Sequence, residues 1–274
     1  MCDQLLLHPE KYGIYRFTHL RLHYTESMSS QSDHSPFPFT NSELHHLLTE
    51  ATLQYWNVRN AQAARQGETG DRDRGSRGEV TGGGHLTGFM QIIREIIIKS
   101  GFSTDEIHTG SRLDLPGYFR PTKKWDIIVT RNHRLCAVIE MKSQTGPSFG
   151  NNFNNRAEEA IGSSVDFWTA FREGAFGSNR PWLGYFFLLE DHPSSRRPIN
   201  LFSPLFEPFP LFHQTSYADR YAILCRHLLQ ERHYDASTLI LTPRDGGGKY
   251  SEPYEDLQFA SWAKRLYGHL IGCQ

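Results

Sequence analysis

Three charged residues sit where charge is expensive. Asp126 opens the short apolar run Ile127-Ile128-Val129-Thr130, and Glu140-Met141-Lys142 ends a second one, Leu135-Cys136-Ala137-Val138-Ile139. Between them, Arg131-Asn132-His133-Arg134 reads as a hairpin turn. Side chains alternate faces along a strand, so Glu140 and Lys142 point one way and Met141 the other. Asp126, at the start of the neighbouring strand, can lie close to Glu140. Two carboxylates and a lysine at the end of an apolar sheet are costly to bury unless they pair or bind metal. The simplest chemistry for such a set is a divalent-cation site with an activated water.

The elements that must position these residues are legible on either side. Asn41 or Ser42 is a plausible N-cap, and Leu44, Leu47, Leu48, Ala51, Tyr55 and Val58 recur at helical spacing, predicting a helix to about Gln66. Gly67 to Gly84 is a glycine-rich, mixed-charge loop without a phosphate-loop motif. A second helix fits His85 to Lys99, with Phe89, Ile92, Ile93, Ile96 and Ile97 inward and Gly101 as its stop. Glu95, one position off that stripe, reads as a surface carboxylate. Leu113 to Phe119 reads as irregular. After the hairpin come a helix from Asn155 or Arg156 to about Gly174 and a buried strand from Trp182 to Leu189. A proline-punctuated loop, a helix opened by Ser216 or Asp219, a strand from Ser237 to Thr242 and a last helix complete the chain. The expected fold is α/β, a mixed central β-sheet flanked by helices.

Composition sets the outer bounds. The chain has 274 residues, 38% hydrophobic and 22% charged, and suits one large domain with a sizeable core. Residues 1–40, rich in serine and proline towards their end, read as a poorly ordered appendage, and 41–274 as a single domain. The formal charge of −1 means that no global basic field announces nucleic acid, although a local basic cleft is enough. Four well-separated cysteines suit a reducing compartment and argue against a zinc ribbon. Fourteen histidines include the pair His19 and His23, with nothing in the pattern to complete a metal site. No run approaches the ~18 to 20 apolar residues that span a bilayer, and no signal-peptide core is present. A cytoplasmic protein is expected.

The segment after Lys142 carries the second signal. Gln144 to Arg156 holds Gln144, Ser148, Asn151, Asn152, Asn154, Asn155 and Arg156 in what reads as one loop leading off the charged strand end. Asparagine and glutamine amides can pair with adenine and arginine with guanine, which makes this a candidate base-reading surface. Arg120, Lys123 and Lys124, just ahead of Asp126, could hold the DNA backbone through its phosphates.

Asp126, thirteen residues, then Glu140-x-Lys142 resembles the PD-(D/E)xK nuclease motif, with Trp125 where the motif has proline. The wider text is more specific. Leu115-Pro116-Gly117-Tyr118-Phe119-Arg120-Pro121-Thr122-Lys123-Lys124-Trp125-Asp126, Glu140-Met141-Lys142-Ser143-Gln144 and the block from Gly146 to Gly162 look like the XhoI family of type II restriction endonucleases. Trp182-Leu183-Gly184-Tyr185 and Leu188-Leu189-Glu190-Asp191 add to the likeness, which covers about residues 50 to 270 and leaves the front unmatched. The resemblance implies a PD-(D/E)xK restriction-endonuclease-like core at about 85–242, with Mg²⁺ held by Asp126, Glu140 and the Met141 carbonyl. Lys142 completes the catalytic set. It further implies double-strand cleavage by a homodimer on a palindrome, CTCGAG, and a cognate DNA methyltransferase in the same host as a functional partner. Three other readings stay open: a non-sequence-specific nuclease with the same core, a DNA-binding module without cleavage, and a small-molecule enzyme.

Overall fold

The computed structural model describes residues 37–69, 83–110 and 113–273. The expected appendage up to residue 36, the His19/His23 pair and most of the glycine-rich loop lie outside them. Helix α1 spans Asn41–Thr69 and α2 Thr87–Lys99. Strands β1 (Ile107–Thr109), β2 (Asp114–Pro116), β3 (Thr122–Lys124), β4 (Ile127–Arg131) and β5 (Arg134–Gln144) follow. Then come α3 (Phe149–Arg172), β6 (Trp182–Glu190), α4 (Tyr217–Gln230), β7 (Ala236–Thr242) and α5 (Phe259–Ile271).

The main sheet has the order β1-β4-β5-β6-β7, antiparallel as far as β5 and parallel from there. This is the expected mixed α/β architecture. The turn into β5 is tight: Asn132 and His133 both take positive φ, 51° and 61°, the conformation a two-residue hairpin turn demands. Packing separates the two sides of the sheet. Phe89, Ile93, Ile96 and Ile97 of α2 share a core with Leu44, Leu48 and Tyr55 of α1 and Trp262 and Leu266 of α5. On the other face Phe167 and Trp168 of α3 meet Tyr221 and Leu228 of α4. With both faces covered, every residue of β6 is buried, as its apolar run from Trp182 to Leu189 requires. Gly184 is forced within it, because a Cβ there would lie 2.3 Å from the Trp182 ring.

Several boundaries differ from expectation, each for a packing reason. Phe37 and Phe39 are buried in the first core, so the described fold begins ahead of residue 41. The stretch Leu113 to Lys124 is a small antiparallel hairpin, β2 with β3, rather than irregular text. The largest correction concerns the asparagine run. Asn151, Asn152, Asn154, Asn155 and Arg156 stand on the opening turns of α3, six residues earlier than the expected helix start, and only 145–148 is loop. Asparagine disfavours helix, but Phe149 and Phe153, four apart, override it. Phe149 stacks on His192 and Tyr217, while Phe153 meets Tyr217 and Tyr221. The Ser216–Asp219 capping box opens α4 at the expected place. Among the described residues no helix is long and apolar enough to cross a membrane.

Candidate active site

The antiparallel pairing of β4 with β5 ends at Ile127 and Ile139, and the charged residues gather just beyond it. Asp126 accepts the Met141 backbone N–H at 2.7 Å through Oδ2. Alternation does what it must: Ile139 and Met141 point into one core, and Glu140 and Lys142 to the opposite face. Glu140 is 2% exposed and gripped by two ammonium groups. Lys142 meets its Oε1, and Lys123 reaches its Oε2 at 2.8 Å from β3.

Lys123 thus belongs to the centre of the site rather than to its rim. Its side chain is 11% exposed, donates also to the Lys124 carbonyl, and lies 4.1 Å from the centroid of the Trp125 ring. Trp125 itself is buried, edge-on to Phe167 of α3. The residue in the motif's proline position is therefore the floor on which Lys123 rests.

The electrostatics of the two carboxylates differ. Burial alone would push Glu140 up, but Lys142 and Lys123 outweigh it and hold it below the usual carboxylate range. Asp126 is pushed up to about 6, first by enclosure and then by the negative charge of Glu140, against which Lys142, the Met141 N–H and Lys123 pull only partly. Burial would depress Lys142, yet Glu140 and Asp126 lift it above its ordinary value, so it is an ammonium at neutral pH.

Among the described residues no group of three or more His, Cys, Asp or Glu side chains could hold a metal ion. The donors here are two carboxylates and a backbone carbonyl. In an antiparallel pair a residue's N–H and C=O face the same side, so the Met141 carbonyl lies on the Asp126 edge, past the last β4 partner. Hard oxygen ligands in that number suit a cation that keeps several of its waters, as Mg²⁺ does.

The site opens into a cleft of about 660 Å³, lined by Asp126, Glu140, Met141 and Lys142 and by Arg120, Lys123, Gln144, Asn152, Asn155 and Arg156. Lys124, Ser148, Asn151 and Asn154 are exposed but are not among its lining residues. Gln144 is committed elsewhere: it is buried, donates to the Thr145 carbonyl at 2.9 Å and accepts from the Tyr221 hydroxyl. Arg156 pairs with Glu159 at 2.6 Å, and its buried Nε has no hydrogen-bond partner among the described residues. Arg120 is held by Asp166 of α3 at 2.7 Å. Two cleft residues had no signal in the pattern: Arg59, from α1, which donates to Thr145, and His85, 3.2 Å from Ser143. Glu95 pairs with Lys99 at the surface.

The family model described as restriction endonuclease XhoI matches residues 65–252. The type II restriction enzyme BstVI of Geobacillus stearothermophilus is 47% identical over 207 residues, which cover 73% of this chain and 92% of that enzyme. The type II restriction enzyme XhoI of Xanthomonas vasicola is 42% identical over 191 residues, 69% of this chain and 76% of that one. AbrI of Azospirillum brasilense, also a type II restriction enzyme, is 48% identical over 150 residues, 54% and 67% of the two chains. No solved structure matches the chain.

Proposed function

This chain belongs to the XhoI family of type II restriction endonucleases, and we propose that Asp126, Glu140 and Lys142 are its Mg²⁺-dependent cleavage centre for double-stranded DNA. The observation that carries this reading is their convergence at one enclosed strand end, beneath a cleft whose walls bring Arg120, Lys123 and Arg156. Asp126, Glu140 and the Met141 carbonyl would hold the cation. When bound, it polarises the scissile phosphate and lowers the pKa of a water. Lys142 would orient the attacking water and stabilise the charge that builds on the phosphate, its side chain 25% exposed beside Glu140. Lys123 neutralises the second oxygen of Glu140. With a cation held by Glu140, the Lys123 ammonium would add positive charge beside the phosphate.

Arg120 and Lys124 would contact the DNA backbone. Asn152, Asn155 and Arg156 are the base-reading residues that the cleft best supports, with Ser148, Asn151 and Asn154 on its approach. Gln144 acts by holding the end of β5. We read residues 41–274, with Phe37 and Phe39 packed onto them, as one nuclease domain working in the cytoplasm as a homodimer on the palindrome CTCGAG. A cognate methyltransferase would protect the same site in the host. Digestion of plasmid DNA with Mg²⁺, followed by sequencing of the fragment ends, tests this. Discrete ends at one palindrome are expected. A continuous smear would replace the reading with a non-specific nuclease, and intact plasmid would overturn it.

A further inference from the structure

One feature beside the cleft takes no part in metal or proton chemistry. The turn joining β2 to β3 lifts Tyr118 and Phe119 into solvent, 54% and 69% exposed, with their rings edge to face at 5.0 Å. Water is a poor surrounding for two large rings, yet the backbone beneath them is built to keep them there. Asp166 of α3, 2% exposed, accepts the N–H groups of Tyr118 and Phe119 at 2.8 Å each through Oδ1, and the Arg120 Nε at 2.7 Å through Oδ2. The Gly117 N–H closes the turn onto the Pro121 carbonyl, and a Cβ on Gly117 would lie 2.6 Å from Asp166 Oδ2. Leu113 and Trp125 anchor the base of the hairpin in the core.

The position of this tip names its ligand. Phe119 is next to Arg120, which lines the same cleft as Asp126, Glu140 and Lys142, and four residues from Lys123, whose ammonium is 2.8 Å from Glu140 Oε2. A duplex lying in that cleft with a phosphate at Glu140 would pass beside the tip. Lys124 is exposed, and the Arg120 side chain stays 43% exposed while paired with Asp166, so the hairpin offers positive charge to a polyanion. We propose that the Tyr118–Phe119 tip is an apolar wedge that enters the minor groove beside the cleaved phosphate and opens a base step against Phe119, which rests on the DNA-cleavage reading above. Apolar side chains used in this way unstack and bend the duplex, and a tip already held by Asp166 loses little freedom on binding.

The test uses the full chain and duplexes carrying its own cleavage sequence, with 2-aminopurine at successive positions and Ca²⁺ in place of Mg²⁺. In the wild type one step beside the cut should brighten on binding. Phe119→Ala should lose that brightening and bind about tenfold more weakly at an unchanged melting temperature, while Phe119→Leu, still an apolar wedge, should keep it. The proposal is overturned if no position brightens in a wild type that binds and cuts the duplex. It is equally overturned if Phe119→Ala converts a dimer to monomers in sedimentation, which would make the tip a subunit contact. A wild type that neither binds nor cuts duplex DNA removes the nuclease reading itself, and the wedge with it.

Discussion

Asp126 and Asp166 are both largely withdrawn from water, and they do opposite things. Asp166 receives two backbone N–H groups and a guanidinium; burial alone would raise its carboxyl, but these donors hold it below the usual range. Asp126 receives one N–H, faces Glu140, and is pushed up to about 6. Enclosure is common to the two, so the difference lies in the partners. A satisfied carboxylate is a structural clamp. Asp126, short of positive charge beside a second carboxylate, would be relieved by a bound cation, as its proposed role requires; pairing rather than burial separates the two aspartates.

Substitutions at the two positions should therefore diverge. Asp126→Asn is expected to lower the single-turnover cleavage rate by about a thousandfold, the scale of losing a group that acts on developing charge. The same variant should be more stable than the wild type in metal-free buffer above pH 6. The sign follows from linkage: the folded carboxyl titrates at about 6 against roughly 3.9 unfolded, so its favourable contribution is present below pH 4 and lost as pH rises through 6, up to about 3 kcal/mol. Melting curves at pH 5 and pH 8 check it; a variant less stable than wild type at pH 8 would break the contrast.

Asp166→Ala should move the other way, losing about 2 to 3 kcal/mol of stability through hydrogen bonds to a charged group, read from urea melts. Lys123→Met is expected to cost cleavage about ten- to a hundredfold while tightening Mn²⁺ binding in the absence of DNA, because it removes the ammonium competing for Glu140. Calorimetry against cleavage separates those two effects. Smallest of all, Mn²⁺ affinity of the wild type should fall as pH drops through about 6, where Asp126 takes up its proton.

How much of this was legible in the chain depended on range. The Asp126–Lys142 hairpin was readable because period-two alternation and a polar turn are local, and β6 because the near-continuous apolar run from Trp182 to Leu189 leaves few alternatives. The capping residues Ser216 and Asp219 were readable for the same reason. The three-residue strands β1, β2 and β3 are too short to show a period. The start of α3 was misplaced because its cause, Phe149 and Phe153 packing on Tyr217 and Tyr221, sits nearly seventy residues away. Lys123 was assigned to the DNA backbone, since nothing near it in sequence says that a neighbouring strand will bring Glu140 to it. Asp166 gave no signal whatever: one acid on a helix is ordinary until three donors from another element close on it.

Lys142 is the residue on which the proposed cleavage chemistry turns. Wild type and Lys142→Ala should be compared on one duplex carrying the cleavage sequence, with binding measured in Ca²⁺ and cutting started by Mg²⁺. The prediction is matching affinity with cleavage abolished in the variant. Loss of binding together with cleavage, accompanied by a collapsed melting temperature, would make Lys142 a folding residue and contradict the assignment of the site.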